Sequence, residues 1–127
     1  MSSVRISVAT PEADLAAAVW PGLEGVYYPR AECGTQMEDA DRLITTLEKR
    51  RGIRPGTVNI TALVESSTGV TRAREIAASS SRVTGLGVGP QLMVEIDGDA
   101  LDYARAECEL AARACNVAAV QIEGLLD

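Results

Sequence analysis

The stretch PGTVNITALVESSTG, residues 55–69, decides how this chain folds. It opens on a Pro-Gly turn and continues as an apolar, β-branched run that predicts a buried strand over Val58–Val64. The run ends on a single carboxylate, Glu65, and the segment after it favours a helix over 70–79. In α/β proteins the functional groups lie at the C-terminal tips of parallel strands, so Glu65 is the first candidate site residue.

The rest of the chain repeats this alternation of strand and helix. Such alternation indicates parallel βα units in one sheet covered by helices, so we expect an α/β fold of about five βα units in a single domain, 1–127. Besides 58–64, the predicted strands are 4–8, 24–29, 82–88 and 117–122. Besides 70–79, the predicted helices are 10–19, 35–51 and 99–114. Residues 91–98 receive no assignment.

Charge and composition exclude several classes of function. The net charge is −6 and no block of Lys and Arg occurs, which argues against nucleic acid and anionic membranes as partners. The chain contains no histidine. The commonest general base and transition-metal ligand is therefore missing, and Ser-His and Cys-His catalysis are excluded.

The N-terminal sequence, the short apolar runs and the cysteine spacing suggest a reducing compartment. No apolar run approaches the roughly 20 residues that span a bilayer, and the N-terminus runs directly into a strand without an apolar signal core. Cys108 and Cys115 are two helical turns apart, too far for a disulfide, and we expect them and Cys33 to be free thiols. We interpret the protein as cytoplasmic.

Glu65 and Arg5 each have a functional and a structural interpretation. Glu65 could be a metal ligand or base, or a carboxylate that caps the following helix. Arg5 could bind a substrate carboxylate or extend into solvent from an edge strand. An arginine inside an apolar strand usually has a partner, and Glu65 on a nearby strand tip is the obvious one, so an ion pair is a third possibility.

Two further patterns favour structural interpretations. The glycines of Gly85–Gly89 resemble a phosphate loop but lack its spacing and following helix, so close backbone packing is favoured. An acidic cluster could bind a cation weakly, but a solvated loop and a helix start explain it better. Its members are Glu95, Asp97, Asp99 and Asp102.

Several blocks, taken together, resemble the citrate lyase beta-subunit family, also called the HpcH/HpaI aldolase superfamily. They cover nearly the whole chain, and their combination and order are specific. The blocks are VRI (4–6), GVYYPRAE (25–32), LEKRRGIRPGT (47–57), LVESSTGV (63–70), EIAASSSRV (75–83), YAR (103–105) and LAARA (110–114).

The resemblance implies a (β/α)₈ TIM-type barrel that binds Mg²⁺ and makes or breaks a carbon–carbon bond next to an acyl thioester. By the matching blocks, Arg5 would hold a substrate carboxylate or enolate oxygen, and Glu65 would bind the metal. Arg30 and Gly89 would contribute to substrate binding. The chain would correspond to strands three to seven of the barrel, a partial barrel.

The chain departs from the family pattern at the second metal-binding acid. The family's Gly-x-Glu-Asp block falls on Gly89-Pro90-Gln91-Leu92, so the metal-binding aspartate becomes Leu92. The family's Pro-Lys pair becomes Pro29-Arg30. Five strands do not close an ordinary parallel barrel, so we expect self-association or another chain that supplies the missing strands.

Two functions follow from these observations. The first is an Mg²⁺-dependent carbon–carbon lyase acting on a 3-hydroxyacyl thioester or a 2-oxo acid. Arg5 and Glu65 would be its catalytic residues, and Glu65 its metal ligand. The second is a catalytically degenerate relative that works by binding or assembly, which the loss of the acid at Leu92 favours.

Overall fold

The computed structural model describes residues 3–7 and 9–121. Its five strands form one sheet in sequential order, and every neighbouring pair is parallel. The strands are β1 (Ser3–Arg5), β2 (Gly25–Tyr28), β3 (Asn59–Val64), β4 (Val83–Val88) and β5 (Ala118–Gln121). The helices are α1 (Pro11–Ala18), α2 (Gly34–Arg50), α3 (Ser67–Thr71), α4 (Ala73–Ala78), α5 (Pro90–Glu95) and α6 (Gly98–Ala114). Sequential parallel strands joined by helices are the arrangement of a TIM-type barrel, so the predicted α/β partial barrel is confirmed.

The element boundaries differ from the predictions in three places. The helix predicted over 70–79 begins at Ser67, because the Ser66 hydroxyl caps it by accepting a hydrogen bond from the Gly69 N–H at 3.1 Å. It is interrupted at Arg72, which separates α3 from α4. Residues 91–98, for which the sequence predicted no element, contain most of α5, and the first helical residue of α5 is Pro90. Of the predicted strand ends, Val8 and Ile122 lie outside the described residues.

The two faces of the sheet differ in what covers them. In β3, Ile60, Ala62 and Val64 belong to the aliphatic core under the helices. Side chains alternate along a strand, so Leu63 points to the opposite face, and Glu65 continues that alternation. Register pairs Arg5 with Tyr27 and Tyr27 with Thr61, which places Arg5 on the same face as Leu63 and Glu65.

The glycines of β4 serve close packing. A Cβ atom at Gly87 would lie 2.7 Å from Cγ2 of Val120, and one at Gly85 would lie 3.1 Å from Oγ1 of Thr61. Side chains of both neighbouring strands therefore fold over β4. This agrees with the interpretation of the Gly85–Gly89 segment as a packing feature and not a phosphate loop.

The helices pack with aliphatic faces. Met37, Ala40, Ile44 and Leu47 of α2 are buried at helical spacing. Among the described residues, no helix combines the length and the hydropathy needed to cross a membrane.

A buried ionic cluster joins α2 to the N-terminal ends of β3 and β4. The guanidinium of Arg82 donates from Nη2 to Glu48 Oε1 at 2.6 Å and from Nε to Asp41 Oδ1 at 2.6 Å. It also donates from Nη1 to the Val58 carbonyl at 3.0 Å. Arg82 is 6% exposed and Glu48 is fully buried, so the cluster is shielded from water.

The carboxyl groups of this cluster stay ionised. Burial opposes ionisation of Glu48, but hydrogen bonds from Arg82 and from the backbone N–H groups of Val58 and Gly56 outweigh it, and the pKa of Glu48 lies below its usual value. The pKa of Asp41 is lowered in the same way, with Arg82 outweighing burial. A carboxyl whose folded-state pKa is depressed stabilises the fold above its unfolded pKa. The contribution is therefore present at neutral pH and is lost as acidification passes through the depressed pKa values.

Replacement of Arg82 by methionine should destabilise the fold strongly. The substitution Arg82→Met leaves the buried Glu48 carboxylate without its cation, and breaking such a pair costs about 3–5 kcal/mol. Urea denaturation followed by far-ultraviolet circular dichroism measures the free energy of unfolding.

The matched control is Arg113→Met on α6, which removes an arginine from an exposed pair with Glu109 at 3.1 Å. Exposed pairs contribute about 0–1 kcal/mol, so this variant should unfold close to the unaltered protein. Equal losses for the two variants would contradict a special role for the buried cluster.

Candidate functional site

The site is built around the Glu65 carboxylate, which follows the last residue of β3. Oε1 accepts a hydrogen bond from the Arg30 N–H at 3.0 Å, and Oε2 accepts one from the Gln91 N–H at 2.9 Å. Arg30 follows β2, and Gln91 lies in the first turn of α5, after β4. Glu65 is fully buried, so its carboxylate connects the tips of three adjacent strands without contact with solvent.

This geometry corrects one of the structural interpretations of Glu65. The carboxylate does not cap the helix that follows it, because the side chain of Ser66 fills that role. Instead, Glu65 accepts from the first turn of α5, the helix that follows the next strand, β4. Sequence reasoning recognised a carboxylate suited to a helix start but assigned it to the wrong helix.

Arg5 lies beside this carboxylate. Its Nη2 is 3.6 Å from Glu65 Oε1, and its side chain is 32% exposed. The ion pair considered from the sequence is therefore present. One side of the guanidinium contacts Glu65 and the rest remains open to a ligand.

Arg30 combines an unusual backbone with an ionic side chain. Its φ of 50° lies in the left-handed region, which is rare for residues other than glycine. The hydrogen bond from its N–H to Glu65 holds that conformation. Its guanidinium lies 3.9 Å from Glu32 Oε2 and 3.7 Å from Glu95 Oε1, so the side chain is directed across the strand tips.

Gly89 is required by the position of Glu65. A Cβ atom at Gly89 would lie 2.6 Å from both Cγ and Cδ of Glu65, closer than side-chain atoms approach. The φ of Gly89 is −90°, which any residue adopts, so space and not backbone freedom selects glycine here. The structure thus brings Arg5, Arg30, Glu65 and Gly89 together, and gives Gly89 a packing role.

The hydroxyl of Ser66 links this site to the β2 loop. Its Oγ donates to Glu32 Oε2 at 2.6 Å while it caps α3. Glu32 is in turn close to Arg30. The strand tips therefore carry a connected network of acids and guanidinium groups.

The described residues do not fit a magnesium site in this arrangement. Mg²⁺ needs about six oxygen ligands, with water or substrate completing those from the protein. Glu65 is inaccessible, both of its oxygens accept backbone hydrogen bonds, and Arg5 contributes a positive charge beside it. Leu92, where the resemblance predicts the second metal-binding acid, is fully buried in the core. Within the described ranges, no group of three or more acidic, cysteine or histidine side chains could hold a metal ion.

One cleft lies away from the strand tips. A cavity of about 580 Å³ opens between α1 and α2, and none of the four strand-tip residues lines it. It is lined by residues that include Leu15, Tyr28, Asp39 and Arg42. Burial, followed by the nearby Asp39 and Cys33, raises the pKa of Tyr28. Arg42 is paired with Asp39 on the same helix, whereas Arg5 and Arg30 lie at the strand tips.

The three cysteines are free thiols, as predicted. Burial, with a smaller effect of Glu107, raises the pKa of Cys108 to about 12, which makes that thiol unreactive.

Sequence reasoning missed Glu32 and Glu95 as partners of Arg30. Glu95 was noticed only as part of an acidic cluster, because α5 had no predicted assignment. Glu32 lies two residues after Arg30, and that spacing alone indicates no contact. The only available signal was the position of Glu32 directly after a predicted strand.

Replacement of Gly89 by alanine should destabilise the protein through a clash with Glu65. In Gly89→Ala the new methyl group overlaps the Glu65 side chain, and overpacking of this kind costs about 1–3 kcal/mol. Urea denaturation measures the loss.

The control is a double-mutant cycle with Glu65→Ala. Once the glutamate side chain is shortened, the methyl group has room, and the additional cost of Gly89→Ala should fall close to zero. An additional cost that stays the same in both backgrounds would rule out the clash as its cause.

Comparisons with known proteins agree with this fold. The CitE protein of Mycobacterium tuberculosis, solved in complex with magnesium and pyruvate, superposes with a TM-score of 0.65 at 26% identity. The match covers 97% of this chain and 52% of that chain.

The curated relatives are longer than this chain, and the matched segment covers only a minor part of each relative. The citrate lyase subunit beta of Leuconostoc mesenteroides is 34% identical over 113 residues, which is 84% of this chain and 37% of the relative. The L-malyl-CoA/beta-methylmalyl-CoA lyase of Cereibacter sphaeroides is 30% identical over 67 residues, 53% of this chain and 21% of the relative. The chain thus spans well under half the length of these relatives.

The family model agrees with these relatives over most of the chain. The model described as HpcH/HpaI aldolase/citrate lyase matches residues 3–123. That match includes the tips of all five strands and every residue of the site described above. The chain belongs to the HpcH/HpaI aldolase/citrate lyase family.

Proposed function

We propose that this chain provides the arginine residues of a carbon–carbon lyase site. The site would bind a small carboxylate substrate. The substrate would be a 2-oxo acid or a 3-hydroxyacyl thioester. The observation that carries the proposal is the Arg5 guanidinium, held 3.6 Å from a buried carboxylate at a strand tip and still 32% exposed. The malyl-CoA lyase relative and the neighbour with bound pyruvate support these two substrate classes.

The proposed role of Arg5 follows from where charge develops. When a 3-hydroxyacyl thioester is cleaved, its 3-hydroxyl loses a proton to water and becomes a carbonyl group. The electrons of the bond between Cα and Cβ pass to the thioester carbonyl oxygen and give an enolate, which then takes up a proton at Cα. A guanidinium placed at that oxygen stabilises the enolate more than the neutral carbonyl, which lowers the barrier. Arg30 would hold a substrate carboxylate at the neighbouring strand tip, and Gly89 would leave room for Glu65 beneath the ligand.

Glu65 would support catalysis by fixing the loops. Its two backbone hydrogen bonds set the positions of Arg30 and of the start of α5, and its charge orients Arg5. Mg²⁺ remains a prediction from the family. Because the described residues do not form its site, no catalytic step is assigned to it here.

A second candidate is binding or assembly without catalysis. Two observations favour it: Leu92 replaces an acid and is buried in the core, and the edge strands are open. All described residues of β1 are exposed, and three of the four in β5 are exposed. Edge strands offer unpaired backbone groups to another chain, so the partner would be a second copy or a chain that supplies further strands.

Calorimetry with oxaloacetate tests the first candidate. Titration in the presence of Mg²⁺ should release heat with a saturable isotherm, and Arg5→Gln should weaken binding about tenfold or more, because a hydrogen bond to a charged group contributes about 1.5–3 kcal/mol. Glu65→Gln should abolish binding, because an amide has only one oxygen to accept the two backbone hydrogen bonds.

The control for both variants is Glu109→Gln, an exposed position on α6, with circular dichroism to confirm that each variant is folded. Binding by the Arg5 variant as tight as that of the unaltered protein would contradict the assigned role. The absence of heat under every condition would favour the second candidate.

Sedimentation tests the second candidate. If the open edges are assembly surfaces, the protein should sediment at micromolar concentration as a species larger than its 13.4 kDa chain mass. Lysine introduced at an exposed position of the β5 edge, as in Ala119→Lys, should shift the equilibrium towards monomer, because charges on an edge strand oppose pairing.

The matched control is Val94→Lys, an exposed apolar position on α5 that is 77% exposed and lies off the sheet. It should leave the oligomeric state unchanged. A stable monomer of the unaltered protein would exclude self-association.

A further inference from the structure

Three carboxylates converge on Arg30 from three different elements. Glu65, after β3, accepts its backbone N–H at 3.0 Å. Glu32, two residues further along the chain, lies 3.9 Å from Nη2. Glu95, at the end of α5, lies 3.7 Å from Nη1. Arg30 is the residue that all three acids share.

Glu32 and Glu95 lie 3.9 Å and 3.7 Å from the Arg30 guanidinium, so these two acids share one cation. A bound metal would be an alternative cation, but Glu65 is inaccessible and the expected second acid is the buried Leu92. The guanidinium of Arg30 is already placed between Glu32 and Glu95 and provides the positive charge.

The backbone of Arg30 shows that this placement is fixed. Its left-handed conformation is unfavourable for a residue other than glycine, and it persists only where neighbouring groups hold it. The N–H donates to Glu65, and the carbonyl accepts from Gln36 Nε2 at 3.4 Å. Hydrogen bonds therefore hold both the N–H and the carbonyl of Arg30, and its side chain leaves the strand tip in a defined direction.

The guanidinium also keeps capacity for a ligand. Its distances to Glu32 and Glu95 are longer than hydrogen bonds, and its side chain is 35% exposed. A planar guanidinium can therefore still donate two parallel hydrogen bonds to an incoming carboxylate. Arg5 offers a second, similarly exposed guanidinium near the same carboxylate of Glu65.

We propose that Arg30 is the built-in cation of this site, so that small carboxylates bind at Arg5 and Arg30 without a divalent metal. The inference rests on the proposed function only in that a small carboxylate binds at these strand tips. It differs in assigning to a side chain the positive charge that a metal ion would otherwise provide.

Thermal unfolding with and without Mg²⁺ tests the cation role without any substrate. At constant ionic strength, millimolar MgCl₂ should leave the Tm of the unaltered protein unchanged. Arg30→Gln should lower the Tm, because Glu32 and Glu95 have lost their cation, and MgCl₂ should not restore it, because the described acids form no metal site.

The matched control is Arg113→Gln, which removes a guanidinium from the exposed pair with Glu109 on α6. It should remain insensitive to Mg²⁺. Either a Mg²⁺-dependent Tm in the unaltered protein or a Tm of Arg30→Gln no lower than that of Arg113→Gln would overturn the inference.

Calorimetry after EDTA treatment tests ligand binding. Oxaloacetate should bind with the same affinity whether Mg²⁺ is absent or restored. Arg30→Gln should weaken binding tenfold or more, and Arg30→Lys should recover part of the loss, because the ammonium keeps the charge without the planar fork. Arg113→Gln should bind like the unaltered protein.

The outcomes separate this inference from the proposed function. Binding that requires Mg²⁺ would overturn the inference and leave the proposed carboxylate site standing. Metal-free binding that Arg30→Gln does not weaken would also overturn it. The absence of binding under every condition would overturn both.

Discussion

The carboxylate of Glu65 is buried at the junction of three strand tips, and its two oxygens have to be satisfied there. The surrounding backbone meets that requirement with N–H groups from the loops after β2 and β4. Other features of the site follow from it. Gly89 has no side chain because Glu65 occupies the space, and Arg30 adopts a left-handed conformation that presents its N–H to the same carboxylate.

The two ends of the sheet use buried charge differently. At the N-terminal end, Arg82 is enclosed by Glu48, Asp41 and a backbone carbonyl, and its donors are satisfied within the protein. At the C-terminal end, Arg5 and Arg30 contact acids but remain about one third exposed. A guanidinium whose hydrogen-bond donors are all satisfied within the protein stabilises the fold, whereas a partly exposed guanidinium can still bind an anion. This difference associates stability with one end of the sheet and the proposed ligand binding with the other.

The substitution of Leu92 changes how α5 is held. A carboxylate at this position would belong at the strand tips, but leucine is buried in the aliphatic core and anchors the helix. The anchored helix then directs Gln91 N–H to Glu65 and Glu95 to Arg30. The acid that the family resemblance predicts at residue 92 is missing, but Glu95 on the same helix makes an ionic contact with Arg30.

The sequence by itself determined the parallel α/β sheet and the position of Glu65 at a strand tip, and it offered the pairing of Glu65 with Arg5 as one of three possibilities. Periodicity and the order of strands fix these features, because they depend on local pattern and on where parallel strands end. Only the tertiary structure decided that Glu65 is closed off by two loops, that α5 forms after Gly89, and that Glu32 and Glu95 meet at Arg30. Those contacts join residues that no sequence spacing relates, and they depend on the packing of loops whose positions the sheet alone does not define.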